Sequence, residues 1–104
     1  MQFIYCAYNK DLEIEFDPKK NEMNVRKHGI SLGDFALMNF EKSIATGDDR
    51  YEYGEPRFTI FAPISGRLYC AIITFRNENI RVISLRKAND REFDSYGKIV
   101  TNGN

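Results

Sequence analysis

The string RFTIFAPISGRLYCAIITFRNENIRVISL, residues 57–85, decides the fold. It holds three runs rich in β-branched and aromatic residues, 57–63, 67–75 and 80–85, separated by Ser65-Gly66 and by Asn77-Glu78-Asn79. Apolar runs bounded by such turn chemistry read as an antiparallel three-stranded meander. Upstream, Ile14-Glu15-Phe16 ends a short strand, and Asp17-Pro18 opens a helix. Asp accepts the unpaired amides of a first turn, and Pro tolerates the first helical position. This helix runs to about Lys27, where Gly29 closes it in the left-handed conformation. Ser31 caps a second helix, with Asp34 at its third position, Ile30 stapled onto Phe35, and Leu32, Phe35, Ala36 and Phe40 as its buried stripe. Residues 46–56, rich in Gly, Asp and Glu, show no apolar period and read as a mobile loop. Asn89 followed by Glu92 starts a last helix, with Phe93 and Tyr96 one turn apart, Gly97 near its end, and a polar, frayed tail beyond Tyr96. The order predicts an α+β fold: short N-terminal strand, two helices, three-stranded antiparallel meander, C-terminal helix. At 104 residues it forms one domain over 1–104.

A hydrophobic content of 42% with 13% aromatics is that of a globular chain rather than a disordered one. No run of about 18 apolar residues could span a bilayer, and the first eight residues lack the charged start and cleavage site of an export signal. A soluble, cytoplasmic protein with no membrane partner is the expectation. Cys6 and Cys70 lie in apolar runs without metal-site or disulfide spacing, so both read as buried thiols. The formal net charge is zero, but it is unevenly spread. Residues 1–56 carry 7 basic and 11 acidic side chains and residues 57–104 carry 8 and 4, a balance of −4 against +4. Six of the eight arginines fall in the second part. Arginine's planar fork matches phosphate oxygens, so a phosphate-bearing ligand fits this half, as does a plain solvated sheet face. On the first helix, Lys20, Asn24, Lys27 and His28 share one polar face by their spacing.

The residues Phe16-Asp17-Pro18, Lys20, Asn24 and Lys27-His28-Gly29-Ile30 resemble the string that opens the BrnT toxins. Glu55-Pro56-Arg57-Phe58, Gly66-Arg67-Leu68, Arg81-Val82-Ile83-Ser84, Arg86, Ala88 and Glu92 resemble that family's later blocks in the same order. The likeness covers about Glu15 to Tyr96. The first 14 residues exceed the usual lead-in, and Leu85 stands where a small Ala is usual. The resemblance implies a RelE-like ribonuclease fold, translation arrest by RNA cleavage, and neutralisation by a BrnA-type antitoxin. DNA would then be met only through the antitoxin, and a dimer of toxin–antitoxin pairs is an assembly it allows. The rival reading is a RelE-like protein without catalysis that binds an antitoxin and modulates its DNA binding.

Metal-free RNA cleavage needs a base for the 2′-hydroxyl, cations for the crowded phosphate and an acid for the leaving 5′-oxygen. No carboxylate cluster or His/Cys spacing points to a metal, and no cofactor is expected. The cationic work falls to arginines. Regular alternation sets Arg81 with Ile83 and Leu85 on one face, and Ser84 and Arg86 with Val82 on the other, unless a bulge intervenes. Arg57, Arg67 and Arg86 with Ser84 are therefore the leading catalytic set, and Arg81 is a lesser RNA contact. His28, the only histidine, is suited to proton transfer near neutral pH, or else closes its helix beside Gly29. Lys20, Asn24 and Lys27 either contact RNA or form a solvated face. Glu92 is a capping-box residue that could instead act as a base. Tyr96 stacks on a base or covers the core.

Overall fold

The structure, a computed structural model, describes residues 13–48 and 55–102. Cys6 and residues 49–54 of the expected loop lie outside them. Among the described residues five strands form one mixed sheet: β1 (Ile14–Glu15), β2 (Ile44–Asp48), β3 (Arg57–Ile64), β4 (Arg67–Arg76) and β5 (Asn79–Lys87), in the order β1-β5-β4-β3-β2. β1 runs parallel to β5, and the other neighbours are antiparallel. The meander closes through two tight turns whose central residues all have positive φ, Ser65 at 50° and Gly66 at 81°, then Asn77 at 54° and Glu78 at 68°. Turns of that hand match the twist of the strands they join. Asn79 belongs to β5, where it faces Arg76, and not to the turn.

Three further expectations change. The second helix is a 3-10 segment, Leu32–Leu37, followed by a 3-10 turn, Phe40–Lys42. Its buried residues Leu32 and Phe35, with Met38 as the C-cap, recur every third position, the period of a 3-10 turn, while Ala36 is exposed. Residues 46–48, expected in a loop, belong to β2, which pairs with β3 from Ile44 opposite Phe61 to Asp48 opposite Arg57. An edge strand of five residues with Thr, Gly and Asp among them carries too little apolar period to be seen. Helix α2 (Asp90–Asn102) also continues through Gly97 for another turn.

Helix α1 (Pro18–His28) begins and ends as its sequence requires. The Asp17 carboxylate accepts the Lys19 amide at 2.9 Å, and Gly29, at φ 73°, donates its amide to Val25 at 2.8 Å. Only Asn24 of this helix is buried. Asparagines dock it. The Asn21 carbonyl oxygen accepts the Leu32 amide at 2.7 Å, and Asn24 reaches the backbone of β5. The core lies on the opposite side of the sheet from the open face described below. Ile60, Ala62, Ala71, Ile73, Ile80, Val82 and Leu85 pack there against Leu32, Phe35, Met38 and Phe40 of the 3-10 segments.

Candidate active site

β5 is the spine of the site, and its irregularity decides which side chains meet. Ile72 of β4 faces Ser84, but the next residue, Ile73, faces Val82, so Ile83 is an extra residue on β5. This is a β-bulge, and it shifts the alternation by one. Ile80 and Val82 point into the core before it, and Leu85 does so after it. Arg81, Ser84 and Arg86 consequently share the face away from the core, open beside α1 and covered by α2 toward Phe61, where they stand opposite Thr74, Ile72 and Cys70. The even alternation expected from the sequence, with Leu85 beside Arg81 and Val82 beside Ser84, is thus broken at Ile83. Arg57, on β3, shares the face of Thr59 and Phe61, and Phe61 lies opposite Cys70. It therefore lies on this side too. Thr74, wholly buried, donates its hydroxyl to the carbonyl of Pro56 at 2.6 Å and so ties down the residue before Arg57.

Beyond β1, which pairs only at Ile80 and Arg81, the outer edge of β5 is occupied by α1. The Asn24 amide donates to the carbonyls of Leu85 at 2.8 Å and Ile30 at 2.9 Å, and its oxygen accepts the Leu85 amide at 3.3 Å. Asn24 stands in for a neighbouring strand. Its amide protons are committed, which makes it an anchor in this state rather than a contact held open for RNA. An open groove of about 580 Å³ results, lined by Lys20, Met23, Asn24, Lys27, His28, Ile83 and Ser84. Desolvation, then the charges of Lys27 and Arg86, hold the His28 pKa below its ordinary 6.5. The imidazole is neutral at neutral pH, the form that accepts a proton.

Both arginines of β5 have carboxylate partners. Arg81 is bonded to Glu15, its neighbour in the parallel β1 pairing. Arg86 meets Glu92 through both terminal nitrogens, at 2.8 Å each. That contact keeps Glu92 below the usual carboxylate range and raises the Arg86 pKa. Glu92 also completes the expected capping box, with reciprocal Asn89 bonds of 2.8 and 2.9 Å. Burial pushes the neighbouring Cys70 thiol up to about 11, so it is a protonated, packed side chain. Among the described residues, no three His, Cys, Asp or Glu side chains gather as a metal-binding group.

Two candidates do not join this group, Arg67 at a distance and Tyr96 on the helix that borders it. Arg67 is exposed at the start of β4 opposite Ile64, seven residues along β3 from Arg57, roughly 23 Å at strand rise. The structure does not group it with Arg57 and Arg86. Tyr96 donates its hydroxyl to the Lys42 carbonyl at 2.6 Å and lines a separate small apolar cavity with Ile44, Phe61 and Ile99. Glu15 and Thr74 were not legible as site residues. The parallel β1–β5 pairing that gives Glu15 its partner leaves no local trace, whereas a Thr inside the run Ala71 to Phe75 was the available signal for Thr74.

Residues 16–92 match the family model of BrnT, the ribonuclease toxin of type II toxin-antitoxin systems. The chain belongs to the BrnT family. No curated protein matches it. The BrnT match begins at Phe16, just before the Asp17 cap, and ends on Glu92, the partner of Arg86, so it spans α1, the whole meander and the start of α2. A BrnT toxin has an antitoxin as its partner. No helix among the described residues is long and apolar enough to cross a membrane.

Proposed function

We propose that the chain is a metal-independent endoribonuclease of RelE-like design, which arrests translation in the cytoplasm and is neutralised by a BrnA-type antitoxin. The observation that carries this reading is the bulge at Ile83, with Arg81, Ser84 and Arg86 on one open face next to a neutral His28. His28 takes the proton of the 2′-hydroxyl, the 2′-oxygen attacks phosphorus to form the cyclic phosphate, and the bond to the 5′-oxygen breaks as that oxygen takes a proton from solvent water. Arg86 stabilises the charge on the crowded phosphate, while Arg81 and Arg57, farther along the same face, hold neighbouring phosphates. Lys20 and Lys27, on the groove's rim, guide the backbone of the RNA, and the Ser84 hydroxyl supplies a further hydrogen bond. Tyr96 and Asn24 act as structural supports of this surface, and Arg67 lies outside it.

The test is cleavage of RNA by the purified chain in the presence of a chelator. Fragments ending in a 2′,3′-cyclic phosphate, or the 3′-phosphate derived from it, are expected. Fragments ending in a 3′-hydroxyl, or activity abolished by the chelator and restored by metal, would contradict the mechanism. RNA left intact under all conditions would favour the rival reading of a protein that only binds its antitoxin.

A further inference from the structure

The Arg86–Glu92 contact leaves one particular edge of the guanidinium unused. A guanidinium carries five N–H donors in a rigid plane. Glu92 takes one from Nη1 and one from Nη2, at 2.8 Å each, and the Lys87 carbonyl takes the other Nη1 donor at 3.2 Å. The Nε–H and the second Nη2–H hold no hydrogen bond among the described residues. These two lie side by side and form the side-on fork of the group. Glu92 is itself fixed, since its Oε1 accepts the Asn89 amide while its own amide donates to the Asn89 side chain. Swinging the carboxylate away would cost its bond to the Asn89 amide at the start of α2. The Arg86 side chain is still one-third exposed, at 33%.

We propose that Glu92 is the positioning residue of the site: it grips Arg86 end-on so that Nε–H and Nη2–H are presented as a preset fork for two oxygens of an RNA phosphodiester. This rests on the reading of Arg86 as a phosphate ligand. A carboxylate beside a phosphate-binding arginine lowers the local positive potential, and the gain that offsets this is orientation. A bidentate fork held in its plane loses less freedom when phosphate arrives. Glu92 thus serves two ends with one carboxylate, starting the helix and aiming the arginine.

Steady-state cleavage of an RNA oligonucleotide by purified wild-type, E92Q, R86A and E92Q/R86A chains tests it, with thermal melting beside each. Gln keeps the capping acceptor but not the two-oxygen grip. The expected result is a kcat about ten- to a hundredfold lower in E92Q with KM little changed, and no further loss on adding E92Q to R86A. If E92Q cleaves at or above the wild-type rate while R86A is inactive, this inference fails and the reading of Arg86 stands. If E92Q lowers kcat equally with and without Arg86, Glu92 does not act through that side chain. If R86A cleaves like wild type, both fall together. A second measurement uses the unaltered protein and a 2′-O-methyl RNA oligonucleotide, which lacks the attacking hydroxyl. The Arg86 Nε–H resonance, assigned by its loss in R86K, should shift on binding; a resonance that stays in place while the RNA binds overturns the proposal.

Discussion

In the proposed mechanism His28 and Arg86 carry the chemistry at the scale of single residues, and they act on each other. Desolvation, then the charges of Lys27 and Arg86, lower the His28 pKa, so the proposed base is neutral in the same field that would attract the phosphate. Because the His28 pKa lies below 6.5, the cleavage rate should rise with pH in a limb centred below 6.5 and be level near neutrality. Replacing His28 by Gln should remove that limb and slow cleavage by roughly 10²- to 10⁴-fold, measured as rate against pH on purified protein. An unchanged limb in H28Q would assign the base elsewhere. Part of this site was readable from residue types: a single histidine, an arginine-rich second half, and the Asn89–Glu92 box. The choice between Arg67 and Arg81 was not. Arg81 joins the face through one extra residue in β5, which the string Ile80 to Leu85 does not mark, and Arg67 is set apart because it stands opposite the core residue Ile64.

Among the elements, β5 and α1 place the site, and each makes a distinct prediction. Ile83 is an extra residue between two stretches that each keep their own register with β4. Deleting it should therefore leave Val82 and Leu85 in the core and yield a cooperatively folding chain, whereas deleting Ile60 from the regular strand β3 should turn the following side chains to the wrong face and abolish folding. Circular dichroism and thermal melting check this, and an unfolded Ile83 deletion would contradict the bulge. On the helix, Asn24→Ala leaves the Leu85 amide and carbonyl without their side-chain partner at the sheet edge. Its cost should be about 1–3 kcal/mol in denaturant unfolding. A change near zero would mean that α1 is not docked through this side chain. The sequence did mark the ends of α1, because caps are local chemistry. It did not mark the docking, because Asn24 and Leu85 are 61 residues apart. The sequence does not separate the 3-10 segment from an α-helix for a related reason: Ser31 caps either form, and only the three-residue spacing of Leu32, Phe35 and Met38 distinguishes them.

For the whole molecule, the two oppositely charged halves fold into one sheet in which acidic residues of the first half meet arginines of the second. Glu15 with Arg81 and Glu55 with Arg76 are such pairs. The protein is therefore charge-balanced yet presents arginines on one face. Acid should destabilise it in two stages. His28 has a lowered pKa in the fold, so the unfolded chain takes up that proton first, and its contribution, complete above 6.5, is lost as pH falls below that value. Glu92 also has a lowered pKa, so its contribution is complete above 4.5 and is lost on further acidification. Thermal midpoints recorded against pH should show both declines, the first reduced in H28Q and the second in E92Q. The central claim, that RNA is cleaved on the bulged face of β5, is tested most directly by the cleavage rates of purified R86A and R67A in chelator, with melting as the control for folding. R86A should lose roughly a hundred- to a thousandfold in rate while R67A cleaves like wild type. A folded R86A that cleaves normally beside an inactive, equally folded R67A would contradict the account.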